Sequence, residues 1–128
     1  MPAGNNPARR RRGRITQEAV AQWFRDHGFA NAESTGPSMR GVDVTGMPGL
    51  ACEVKARRDL SLPKWLKQAA TRPGVPFVVH RPDGFGVESV GQWPVTMTLA
   101  QYTKLLHDAG YGDSDDDRAA LLSDRLSS

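Results

Sequence analysis

The chain has 128 residues, of which 38% are hydrophobic and 24% charged, and these proportions predict one globular domain with flexible ends. No apolar run approaches the ~20 residues that cross a bilayer, and the N-terminus lacks the apolar stretch of a signal peptide, so we expect a soluble, cytoplasmic protein without a membrane partner. The single cysteine, Cys52, excludes an intramolecular disulfide, and the three histidines lack the spacing of zinc ligands.

The net charge of +3 is distributed unevenly along the chain. Residues 1–14 contain five arginines and no acid, whereas residues 113–128 contain five aspartates and two arginines. A basic cluster is typical of a nucleic-acid-binding surface, and a run of like charge is also typical of a solvated tail. We therefore predict a disordered basic arm over residues 1–14, a globular domain over residues 15–111 and an acidic flexible tail over residues 112–128.

Within the globular part, the sequence predicts helices and short strands in alternation. Thr16 can cap a helix over residues 17–27, and Gly28 can end it. Residues 33–40 are predicted to be a short edge segment that runs into a loop. The further predicted elements are strands at residues 42–45 and 50–55, a helix at 61–71, strands at 75–80, 85–90 and 95–97, and a helix at 99–109. The acidic remainder is expected to fray or to form one marginal helix.

The strands at residues 42–45 and 50–55 flank a turn and alternate between apolar and polar residues. This period of two predicts that their apolar residues face the core: Val42, Val44, Leu50, Cys52 and Val54. Asp43, Glu53 and Lys55 then share the opposite face, which we expect to be polar and exposed to solvent. Asp43 should lie opposite Glu53 or Lys55, and the shortest hairpin register of this kind pairs it with Glu53.

Two carboxylates and an ammonium on one face are groups that a metal-dependent nuclease needs. Mg²⁺ prefers carboxylate, carbonyl and water oxygens, and Asp43, Glu53 and the backbone carbonyl of Val54 can supply them. Lys55 can orient an attacking water or neutralise the scissile phosphate. The alternative interpretation is an ion pair on a solvated hairpin face. The two matched strands and the surrounding arginines favour the metal site.

Asp43 is followed by Glu53, Val54 and Lys55, and this group lies between a helix that ends at Gly28 and a helix that carries Gln68. The order of these residues resembles that of the PD-(D/E)xK nucleases. Within them the likeness is to the small Holliday junction resolvases of archaea and their phage-encoded relatives. The resemblance covers residues 13–90. It implies an α/β, restriction-endonuclease-like fold with a central mixed β-sheet flanked by helices, dependence on Mg²⁺ with Mn²⁺ as a substitute, and hydrolysis of DNA phosphodiester bonds.

The same resemblance implies roles for particular residues. Asp43 and Glu53 correspond to the metal-binding acids, Lys55 to the catalytic lysine, and Gln68 to a polar residue turned towards the site. The glutamate that the family carries on its first helix falls on Glu18, or on Gln17 when the spacing to the end of the helix is kept strictly.

Basic and polar side chains around these residues are expected to contact DNA. They are Arg9, Arg10, Arg11, Arg12, Arg14, Ser38, Arg40, Arg57, Arg58, Lys64 and Lys67. We expect the arm at residues 1–12 to add affinity and not chemistry. The resemblance implies branched or junction DNA as substrate and a homodimer. The alternatives are an exonuclease or single-strand nuclease of the same fold, or a DNA-binding accessory protein without turnover.

Overall fold

The computed structural model describes residues 7–35, 42–56, 61–113 and 115–127. The chain divides into two compact units, Met1–Thr98 and Leu99–Ser128. This division differs from the predicted boundary after residue 111, because the helix that follows residue 98 belongs with the acidic C-terminal segment. All the residues predicted to take part in catalysis lie in the first unit.

The first unit is built around a five-stranded sheet in the order β1-β2-β3-β4-β5. The strands are β1 (Glu33–Ser34), β2 (Val44–Thr45), β3 (Leu50–Lys55), β4 (Val75–His80) and β5 (Val95–Thr96). Strands β3 and β4 are parallel, and the other neighbouring strands are antiparallel. The predicted α/β fold with a central mixed sheet flanked by helices is therefore confirmed, and β3 and β4 have the bounds that the sequence predicts.

Helix α1 spans Pro7–Asp26 and begins ten residues earlier than predicted. The prediction of a disordered arm is therefore wrong for residues 7–14. Proline is favourable at a first helical position, where no N–H group is needed, and arginine is a good helix former. Thr16, predicted as the cap, instead lies inside the helix, and its Oγ1 donates a hydrogen bond to the carbonyl of Arg12 at 2.7 Å.

The two faces of β3 are covered by different helices. On one face, Val20 and Ala21 of α1 belong to a core that includes Cys52 and Phe77. On the other face lies α2 (Leu62–Ala69), whose buried side chains form a second, smaller core with β4: Trp65, Ala69 and Val78. Neighbouring parallel strands need a crossover connection, and α2 is the crossover between β3 and β4. It covers the side of β3 that the alternation predicts to be solvated.

A 3₁₀ helix, Val87–Gln92, stands where the sequence predicts a strand over residues 85–90. The strand prediction is wrong because Ser89 closes a turn: its N–H and its Oγ both donate to the carbonyl of Gly86, at 3.2 Å and 2.9 Å. The 3₁₀ helix packs against α1 and leads into β5.

The second unit contains two helices, α3 (Leu99–Asp108) and α4 (Asp115–Ser127). Helix α3 agrees with the predicted helix to within one residue. Helix α4 occupies the segment that the sequence predicts either to fray or to form a marginal helix. Over the described part of the chain, no helix is both long enough and apolar enough to cross a membrane.

Candidate active site

Asp43, directly before β2, lies opposite Glu53 of β3. Val44 pairs with Cys52, and this register places Asp43 across from Glu53, as the sequence predicts. The N–H of Asp43 donates to the carbonyl of Cys52 at 3.0 Å. The Asp43 carboxylate is held in turn by the N–H of Val54, which donates to Oδ2 at 2.8 Å. The carboxylate of Asp43 is thus fixed beside β3 by a backbone hydrogen bond.

Glu53 is buried, with 2% of its surface exposed, and its Oε1 has no hydrogen-bond partner. The prediction that it lies on a solvated face is therefore wrong, because α2 covers it. The pKa of Glu53 is raised from 4.5 to about 7, and the largest cause is burial, because the charged form loses its hydration. The charge of Asp43 and a hydrogen bond to it contribute to this rise, whereas the charges of Lys55 and Arg72 partly offset it.

Lys55 lies at the end of β3 and is held by α2. Its Nζ donates a hydrogen bond to Oε1 of Gln68 at 3.1 Å, and its carbonyl accepts from the N–H of Arg81 at 2.8 Å. The structure thus brings Gln68 and Lys55 together from different elements. The hydrogen bond limits the rotamers of a long and otherwise flexible ammonium side chain.

A cleft of about 820 Å³ opens at the C-terminal end of β3. The sheet contributes the strand ends and the residues after them: Asp43, Val54, Lys55 and Ala56. Helix α1 contributes one of its faces: Ala8, Arg9, Arg12, Gly13 and Gln17. The other lining residues lie at the start of α2 or in the turn after β4: Ser61, Lys64, Trp65 and Asp83. Glu53 does not itself line the cleft, but its neighbours Val54 and Lys55 do.

Of the two first-helix candidates, Gln17 lies at the cleft and Glu18 does not. The Glu18 side chain is 57% exposed and forms an ion pair with Arg25 at 2.5 Å. Gln17 accepts a hydrogen bond from Ser34 Oγ at 3.3 Å. The two side chains point ~100° apart around the helix, and of the two only Gln17 lines the cleft. Gln17, which the strict spacing gives, is therefore the first-helix candidate that lies at the cleft, whereas Glu18 points away from it.

The predicted DNA-contacting residues separate into three groups. Those that line the cleft are Arg9, Arg12 and Lys64. Those that are exposed outside it are Arg10, Arg11, Arg14 and Lys67. Four others lie outside the described residues, namely Ser38, Arg40, Arg57 and Arg58.

Arg81 is a charged residue near the cleft that sequence reasoning missed. Its Nη1 donates to Thr16 Oγ1 at 3.1 Å, and its guanidinium carbon lies 5.6 Å from the centre of the Trp93 ring. Burial lowers the pKa of Arg81, and the nearby charge of Arg12 lowers it further. A lone arginine directly after a strand carries no sequence signal for this placement, because the contacts to α1 are long-range.

The acids fit a hard divalent cation. The unpartnered Oε1 of Glu53 is a buried acceptor that a cation would satisfy, and a positive charge would remove the repulsion between Glu53 and Asp43. No group of three or more His, Cys, Asp or Glu side chains suited to a metal occurs among the described residues. Two carboxylates with waters and phosphate suit Mg²⁺, which commonly keeps several waters.

Comparisons with protein-family models, with curated proteins and with solved structures find no match for this chain.

Proposed function

We propose that this chain is a Mg²⁺-dependent deoxyribonuclease that hydrolyses phosphodiester bonds. The observation that carries the proposal is Glu53, a buried carboxylate with an unpartnered oxygen, placed against a second carboxylate at the edge of a basic cleft. Burying an acid beside another acid destabilises a fold unless something neutralises the pair. A bound divalent cation is the neutralising group that this donor set suits best.

The chain's own groups have separable roles in this proposal. Asp43, Glu53 and the carbonyl of Val54 hold Mg²⁺, which when bound polarises the phosphoryl oxygen and acidifies a coordinated water. Lys55, oriented by Gln68, places its ammonium beside the scissile phosphate and stabilises the charge that develops there. Mn²⁺ is expected to substitute for Mg²⁺, since it accepts the same oxygen ligands.

The preferred substrate is proposed to be branched or junction DNA, on the resemblance to the resolvases. That resemblance also suggests a homodimer, and a DNA substrate suits a cytoplasmic protein. An exonuclease or single-strand nuclease would use the same residues. A DNA-binding protein without turnover is less well supported, because two carboxylates beside the cleft repel phosphate and give a pure binder no advantage.

The test is cleavage of a panel of four-way, flap, single-stranded and duplex DNAs with Mg²⁺ or Mn²⁺. We expect Asp43→Asn to lower turnover by about 10²-fold or more. The matched control is Glu18→Gln, which also removes one carboxylate but from an exposed site away from the cleft. Cleavage that persists in excess EDTA, or an Asp43→Asn variant as active as the control, would exclude the metal mechanism.

A further inference from the structure

We propose that the first two turns of α1 are a phosphate-binding wall of the cleft, against which the DNA strand lies during hydrolysis. This inference rests on the proposed function and extends it to residues 7–13. It differs from the expectation that the basic arm at residues 1–12 adds affinity for DNA and has no part in the chemistry.

The cleft-lining residues of α1 share one face of the helix. At ~100° per residue, Ala8, Arg9, Arg12, Gly13 and Gln17 fall within about half of the circumference. Exposed residues that do not line the cleft lie on the other side, among them Arg10, Arg14 and Ile15. The basic run is therefore divided, and only part of its charge faces the acids and Lys55.

Gly13 indicates how closely a ligand can approach this face. Glycine weakens a helix interior relative to alanine, so its presence inside a 20-residue helix calls for a reason. Its backbone angle φ is not positive, and a Cβ added here would meet no atom within 4 Å. Neither backbone conformation nor internal packing therefore requires glycine. What it provides is a surface without a side chain next to Arg9 and Arg12 on the cleft side.

The charges around this surface suit an anion. Arg9 and Arg12 are three residues apart, or about 4.5 Å along the helix axis, so both can reach one phosphate or two adjacent ones. Arg12 also lies close enough to Arg81 for the two positive charges to repel each other. An anion bound beside Arg12 relieves this repulsion. Lys64 contributes a further positive charge to the lining of the cleft.

The test uses the fact that the native cysteine, Cys52, is fully buried and so does not compete for a thiol reagent. Gly13→Cys places a thiol on the cleft face, and Ile15→Cys places one about 200° around the helix from it, at an exposed position that does not line the cleft. Both substitutions leave the charge unchanged. Each variant is treated with a maleimide in EDTA, with and without saturating single-stranded or duplex DNA, so that no hydrolysis occurs.

We expect DNA to slow modification of Gly13→Cys by at least ~10-fold and that of Ile15→Cys by less than ~2-fold, because a bound strand excludes reagent from the face that it covers. Equal protection at both positions, or no protection at Gly13→Cys with DNA bound, would overturn the inference. Protection confined to Gly13→Cys in a protein that cleaves no DNA with any metal would support the wall and refute the nuclease. DNA that does not bind at all refutes both.

Turnover at saturating DNA provides a second measurement, which decides the matter if Gly13→Cys does not fold. Arg12→Gln should lower this rate by about 10-fold, since the scissile phosphate loses a positioning group, and Arg12→Lys should restore most of it. A merely structural or affinity role would instead leave the saturated rate of Arg12→Gln unchanged, and that result would overturn the inference.

Discussion

Replacing Glu53 by glutamine should stabilise the metal-free protein above pH 7, although it removes a proposed ligand. The carboxyl is buried with one oxygen unpartnered and a second acid beside it. Its pKa is raised in the folded protein, so the folded state binds more protons than the unfolded state between pH 4.5 and 7. The wild-type protein therefore loses stability as the pH rises through this interval.

The size of the effect follows from the pKa. A rise from 4.5 to about 7 corresponds to about 3 kcal/mol of stability that is present below pH 4.5 and lost above pH 7. Glutamine does not ionise, and its amide group can donate to Asp43. Glutamine still places a polar group in the buried site, so we expect the free energy of unfolding of Glu53→Gln to exceed that of the wild type by about 1 to 3 kcal/mol at pH 8.

The measurement is urea unfolding in EDTA at pH 5, 6, 7 and 8, for wild type and Glu53→Gln. The difference in unfolding free energy should grow from pH 5 to pH 8. Glu18→Gln, which changes an exposed carboxylate, is the control and should track the wild type. Parallel pH profiles for wild type and Glu53→Gln would refute the reasoning. Adding Mg²⁺ at pH 8 should stabilise only proteins that retain Glu53, because a ligand that binds the folded state raises its stability.

Three further results are expected. Lys55→Ala should lower turnover by ~10²-fold or more, as loss of a preorganised charge does. Gln68→Ala should lower turnover by about 10-fold in the wild-type protein, but should lower it little further in the Lys55→Ala variant, because the role of Gln68 is to position the Lys55 ammonium. Additive losses in this double-mutant cycle would contradict that role. Gly46→Ala should lower the free energy of unfolding, measured in urea, by about 3 kcal/mol or more, because the new Cβ would lie 1.8 Å from the Asn31 carbonyl oxygen. Gly49 has the same φ of 81° but open space around a Cβ, so Gly49→Ala should lower it by only about 1 to 2 kcal/mol.

The hairpin could be predicted because its determinants are local. Alternation fixes which residues share a face, and the short turn fixes the register, so Asp43 was correctly placed opposite Glu53. The burial of Glu53 could not be predicted in this way, because it results from α2 crossing the polar face after β3. A strand covered on both sides can show the same alternation as a strand covered on one side when a buried acid, here Glu53, stands in place of an apolar residue.

The errors on α1 have a different origin. A run of arginines is typical of a disordered tail, and composition alone favours that interpretation. The favourable position of Pro7 and the helix propensity of arginine are weak signals beside it. The choice between Gln17 and Glu18 depended on the rotational phase of the helix relative to the sheet, which packing of Val20 and Ala21 determines.

Helix α1 is about 30 Å long, and its anchoring is uneven. Its buried residues are Thr16, Val20 and Ala21, so the turns that line the cleft lie at the end that the core holds least. Amide hydrogens at residues 7–13 should therefore exchange with solvent faster than those at residues 18–25, since fraying requires no opening of the core. A substrate strand that contacts this wall would slow exchange there. Ordering of the helix would then offset part of the binding free energy of the DNA. Affinity for DNA would fall with temperature more steeply than it would if these turns were already rigid before binding.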